Sequence, residues 1–144
     1  MQNIRIENLI FIDIETVPAV PVFDHLSPEW QELWTEKVQR TLPEDTAAAD
    51  FYNQRAGIMA EFGKIICISM GYFRKEGGSH QLRIKSFYGD EEKKLLQDFL
   101  ATLQQIEMGN NRWSFCGHNI KEFDIPFICR RLLINGLSIP AYLD

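Results

Sequence analysis

A chain of 144 residues has room for one ordinary domain and buries roughly two thirds of the surface that its unfolded form would expose. With 45% hydrophobic and 24% charged residues, ten of them Phe among the apolar set, it lies outside the class of disordered, low-hydrophobicity chains. A formal net charge of -5 excludes a general nucleic-acid coat protein, since phosphate binding is driven by Lys and Arg displacing counterions. It leaves room for an enzyme whose metal ions supply positive charge locally.

The opening MQNIRIENLIFIDIE lacks the basic region, apolar core and small-residue cleavage site of an export signal, and no stretch approaches a membrane span. Cys67, Cys116 and Cys129 sit singly inside apolar runs without CxxC spacing. Each reads as a small buried hydrophobe in a reducing compartment. The expectation is a cytoplasmic protein with no zinc site, no disulfide and no membrane contact.

Ile4 to Ile14 (IRIENLIFIDI) starts with alternating apolar positions and ends in a continuous apolar run, which predicts a strand whose second half is buried on both faces. Pro18 and Pro21 lack amide protons and end it; Ser27 and Pro28 then read as N-cap and first residue of a helix over 28–41. Pro43 opens another acidic first turn, and the Ala-rich stretch after it has helical character up to Gly57 or Gly63. The segment at about 18–60 is thus predicted to be a helical insertion.

KIICISMGYF (64–73), the glycine turn in KEGGSH (75–80) and the alternating QLRIKSFYG (81–89) predict a hairpin with one inner and one edge strand. Asp90 reads as the cap of a helix in which Leu95, Phe99, Leu103 and Ile106 recur at helical spacing, ending at Gly109. RWSFCG (112–117) is a short buried strand, and KEFDIPFICRRLLINGL an amphipathic helix that stops near Gly136. This order predicts an α/β fold with a mixed sheet. The FIDIET strand should be central, between KIICISMGYF and a parallel RWSFCG, with QLRIKSFYG at the edge.

Two short motifs carry the chemistry. In FIDIET, Asp13 and Glu15 stand two residues apart at a strand end and so point to one face. Two carboxylates on one face repel, and burial raises the cost, so a divalent cation or a basic neighbour is the natural companion. Alone, such a triplet is common at strand ends. In GHNIKEFDIPFI, Asn119, Phe123 and Asp124 follow a buried strand. If the helix begins near Asn119 or Ile120, Asp124 falls about one turn in, at the end that a β–α unit aims at the crevice beyond its strand. By itself this is equally well an N-cap and a first-turn acid.

In combination, a strand-terminal DxE, a hairpin, a helix, a strand and then N-x-x-x-F-D resemble the Asp-Glu-Asp-Asp superfamily of proofreading 3′-to-5′ exonucleases, whose fold is ribonuclease-H-like. GHNIKEFDIPFICRR is most similar to the branch containing the exonuclease domain of family B DNA polymerases. The resemblance covers most of the chain apart from the helical insertion. It implies two Mg²⁺ or Mn²⁺ ions, with Asp13 bridging both, Glu15 on the ion that presents the attacking water and Asp124 on the other. It also implies that Thr16, Asn119 and Phe123 seat the terminal nucleotide of a single-stranded 3′ end, DNA in preference to RNA. Phe123 would offer an aromatic face or pack under the site.

The chain departs from that family in its third motif, a Tyr or His followed by an Asp, which supplies the general base and the fourth carboxylate. The 20 residues after Asp124 end in PAYLD, where Tyr142 and Asp144 have the wrong spacing. The sequence therefore predicts a ribonuclease-H-like domain incomplete at its C-terminal end, with little nuclease activity of its own. His118 reads as a histidine at a strand–helix junction rather than as the base. Two other readings compete. A haloacid-dehalogenase-like phosphatase would need D-x-D-x-T, whereas Glu15 is one methylene longer and Lys94 occupies the place of its later metal-binding acid. A catalytically inert ribonuclease-H-like interaction domain would use exposed aromatics, for which Trp30 and Trp34 are candidates, although core is the better reading of both.

Overall fold

The computed structural model describes residues 5–107 and 113–143. Its main elements are β1 (Leu9–Pro18), α1 (Pro28–Val38), α2 (Ala48–Arg55), β2 (Gly63–Glu76), β3 (Ser79–Tyr88), α3 (Glu92–Glu107), β4 (Ser114–Cys116) and α4 (Asp124–Ile134). The four strands form one mixed sheet in the order β3-β2-β1-β4, consistent with a ribonuclease-H-like fold. β1 pairs with β4 in parallel, from Leu9 opposite Ser114 to Phe11 opposite Cys116. The FIDIET strand is therefore internal and the QLRIKSFYG strand lies at the end of the sheet, as the sequence predicts.

The hairpin is regular from Cys67 opposite Tyr88 to Glu76 opposite Ser79. Its two-residue turn, Gly77 and Gly78, has φ of 57° and 86°. Positive φ at both positions matches the right-handed twist of the flanking strands and suits residues without a Cβ.

By contact density the chain divides into two compact units, one of residues 1–15 and 65–144, the other of residues 16–64. In the first, Ile10, Ile12 and Ile14 of β1, Ile68 and Met70 of β2 and Phe87 of β3 are buried. So are Leu95, Leu96, Phe99 and Leu103 of α3 and Phe127, Ile128 and Leu132 of α4. Phe87 meets Phe99 edge to face at 5.7 Å, fixing α3 against the hairpin. The second unit closes around Trp34, fully buried, with Tyr52 and Phe62 edge-on at 4.9 and 5.0 Å. Its indole N–H is satisfied by the Ala48 carbonyl at 2.8 Å. Trp30, by contrast, is 43% exposed.

Several boundaries differ from the sequence reading. The second half of β1 is not buried on both faces but alternates, with Asp13 and Glu15 exposed. α1 ends at Val38, and Pro43 starts no helix, since the chain turns through Asp45 at φ 62°. α3 starts at Glu92 rather than from a cap at Asp90; its predicted end at Gly109 lies outside the described residues. None of the three cysteines is disulfide-bonded, and each is half-buried rather than buried. Among the described residues no helix is long and apolar enough to cross a membrane.

α4 is locked at both ends. Gly136, at φ 69°, lets the Leu137 amide reach the Leu132 carbonyl at 2.8 Å and closes the helix. Inside the last turns, Arg131 forms a two-pronged ion pair with Glu92 of α3, its Nε donating at 2.9 Å. Glu92 also accepts the Ile65 amide at 2.7 Å and the Asn135 side chain at 2.9 Å. Burial alone would raise the Glu92 carboxyl, but these donors outweigh it and hold it below the usual range. The stability this contributes is complete above the unfolded pKa and is lost as the pH falls through the folded one. Arg131→Ala leaves a buried, uncompensated carboxylate, for which about 3–5 kcal/mol of destabilisation is expected. Urea unfolding near neutral pH measures it, and the deficit should shrink once Glu92 is protonated in acid.

Candidate active site at the β4–α4 turn

The alternation of β1 decides where its acids go. Ile12 and Ile14 enter the core, at 3% and 6% exposure, so Asp13 and Glu15 stand together on the opposite face. Asp13 lies just beyond the last β1–β4 pair, Phe11 with Cys116. The turn that leaves β4 is pressed against this part of β1. A Cβ built on Gly117 would stand 2.6 Å from the Ile12 carbonyl oxygen, a separation no side-chain carbon tolerates. Glycine is thus required for the close approach, not for a positive φ.

After Gly117 the chain does not enter the helix at Asn119 or Ile120, as the sequence suggests. Asn119 is left-handed at φ 52°, and its carbonyl accepts the amides of Glu122 and Phe123, each at 3.0 Å. A short Asn side chain tolerates this region better than most, and it ends any helical run through that residue. α4 begins at Asp124 instead, which places this acid at the first helical position. Phe123, half-buried, packs its ring 5.5 Å from that of Phe127. Asn119 is exposed, and Thr16, half-buried, is the next residue of β1 after Glu15.

Asp124 is 3% exposed, and its Oδ1 accepts the Ile14 N–H at 3.1 Å. The helix start is thereby tied to the strand between Asp13 and Glu15. Burial pushes the Asp124 carboxyl up from the ordinary range, and the negative charge of Asp13 pushes it further. Its own amide, the Ile14 amide and the nearby His118 act in the opposite direction. Two acids are brought within electrostatic reach here. Among the described residues no group of three or more His, Cys, Asp or Glu is arranged to hold a metal ion, so the expected convergence of all three carboxylates is not present.

The donors are all carboxylate oxygens, the chemistry suited to Mg²⁺ or Mn²⁺ rather than to softer metals. The raised Asp124 pKa fits the same group, because a cation beside Asp13 and Asp124 would relieve the charge that burial penalises. His118 is exposed at the same place. With Asp13, Cys116 and Gly117 it lines an open apolar groove of about 460 Å³, to which Phe11, Gly71, Phe73 and Ile84 also contribute. The sequence reading passed over Gly117, whose only local signal is a glycine directly after a strand.

A family model described as a predicted 3′–5′ exonuclease related to the exonuclease domain of PolB matches residues 58–144, more than half of the chain. No curated protein matches it. The matched stretch contains the β4–α4 turn and Asp124, while Asp13 and Glu15 lie upstream of it.

Two substitutions test this geometry. Gly117→Ala should destabilise the fold by about 1–3 kcal/mol, the usual cost of forcing an extra carbon into a closed space. Because the folded-state pKa of Asp124 is raised, its ionisation costs stability, absent in acid and setting in as the pH rises through an unfolded value of about 3.9. Asp124→Asn keeps an acceptor for the Ile14 amide. In chelator-treated buffer it should raise the urea midpoint near neutral pH and leave it unchanged at about pH 3.

Proposed function

The chain belongs to the family of predicted 3′–5′ exonucleases related to the exonuclease domain of PolB, and from that membership we propose a metal-dependent hydrolase that removes nucleotides from a single-stranded 3′ end. The observation that carries this reading is the placement of the buried Asp124 carboxylate on the Ile14 amide, within the field of Asp13. A purely structural acid at a helix start is normally solvated or paired with a cation. Asp124 is buried beside another acid instead, an arrangement that costs stability and is repaid when a cation binds.

In this reading Asp13 and Asp124 are the principal metal ligands and Glu15 completes the set from the same strand face. Bound divalent ions would lower the pKa of a water and neutralise charge growing on the leaving 3′-oxygen. The chain's own groups hold and orient. The Ile14 N–H fixes one Asp124 oxygen, leaving the other for a ligand. Thr16, Asn119 and Phe123 are candidate contacts for the terminal nucleotide, DNA in preference to RNA.

In a longer chain that supplies the third motif, Asp13→Ala and Asp124→Ala should each lower Mg²⁺-dependent digestion of a 5′-labelled single strand by at least about 100-fold, the scale on which positioned catalytic charges act. Mn²⁺ binding by calorimetry should fall in parallel while folding is retained. Near-wild-type digestion by either variant would remove that residue from the site.

A further inference from the structure

We propose that His118 is a positioning residue of this site, donating an imidazole N–H to a phosphate oxygen of the nucleic-acid strand where it meets Asp13 and Asp124. The inference rests on the exonuclease reading above and adds a substrate contact to it.

A phosphodiester approaching two carboxylates is repelled unless cations and hydrogen-bond donors accompany it. The apolar groove that Asp13 lines is poor in such donors. Ser69 turns its hydroxyl to Ser86 at 3.0 Å, and Phe11, Phe73, Ile84 and Gly71 offer none from their side chains. Among the described residues lining the groove, His118 is the one whose side chain carries an N–H. It is exposed, and among the described residues no hydrogen bond or ion pair occupies it, in contrast to His80, which is engaged by Glu7 at 2.8 Å.

Its position is also built rather than incidental. Gly117 is held against the Ile12 carbonyl so closely that no side chain fits, and Asn119 is turned through a left-handed conformation. His118 sits between these two fixed points. The backbone therefore places His118 on the groove that Asp13 also lines, and Asp124 senses it electrostatically. A histidine at an indifferent junction would need neither constraint. A donor placed by backbone geometry, with its hydrogen-bonding capacity unspent, is what a phosphate contact requires.

The test uses a short, 5′-labelled single-stranded DNA with Ca²⁺, which supports binding while hydrolysis is slow. Affinity is read by fluorescence anisotropy for the wild type, His118→Ala and His118→Gln. Loss of one charge-assisted hydrogen bond predicts binding about tenfold weaker for His118→Ala. His118→Gln, whose amide N–H reaches a similar point, should recover most of the loss. The chain has only three histidines, His25, His80 and His118, so each is followed directly by NMR. Adding DNA should shift the His118 ring signals and leave those of His80 in place. Unchanged affinity in His118→Ala, or a His118 signal that ignores DNA bound by the wild type, overturns the assignment and leaves the exonuclease reading standing. No binding by the wild type overturns both.

Discussion

The site depends on a helix being held in place firmly enough to present an acid where an acid is unwelcome. Asp124 begins α4 in a buried position, tied to β1 by the Ile14 amide and facing the charge of Asp13. The Ile14 amide, Asp124's own amide and His118 offset only part of that cost. The compensation comes two turns further on, where Arg131 is joined to Glu92 and the pair is completed by Asn135 and the Ile65 amide. One end of α4 carries a fully paired buried charge and the other a buried carboxylate only partly offset. In the reading proposed above, this exchanges stability for a poised functional group along a single helix.

The same economy governs β1. Its even-numbered residues supply the floor of the core and its odd-numbered ones the acids, so that one strand serves packing and chemistry without conflict. β1 lies inside the sheet, between β2 and β4, and its pairing with β4 from Leu9 to Phe11 stops just short of Asp13.

Much of this was legible from residue patterns. The apolar runs of β1 and β2, the two glycines of the hairpin and the helical spacing in α3 fixed the strand order, because each signal is local and strong. The position of Asp13 and Glu15 on one face followed from a period of two. The start of α4 did not follow, since N-I-K-E-F-D has helical composition, and only the left-handed Asn119 breaks the run. Nor could the sequence reveal why Gly117 is a glycine, as the Ile12 carbonyl that excludes a side chain is distant along the chain. Glu92 and Arg131, 39 residues apart, are singled out by no local pattern. What was missed is what depends on two remote segments meeting, which no local pattern records.

The strand at the end of the sheet has a different consequence. β3 runs for ten residues with one edge beyond the hairpin, and it exposes Leu82, Ile84 and Tyr88 at 50%, 69% and 80%. An edge of that length and apolar content is a template on which another strand could add, the first step toward aggregation. Arg83, paired with Glu76 at 3.1 Å, and Lys85 are interleaved with those residues, so that two copies meeting edge to edge would bring the Lys85 charges together. That guard is electrostatic, and it weakens as added salt shortens the screening length from about 30 Å at 0.01 M to about 3 Å at 1 M. Concentrated solutions of the protein should therefore keep best at low ionic strength, where the cations of β3 still repel one another across the gap.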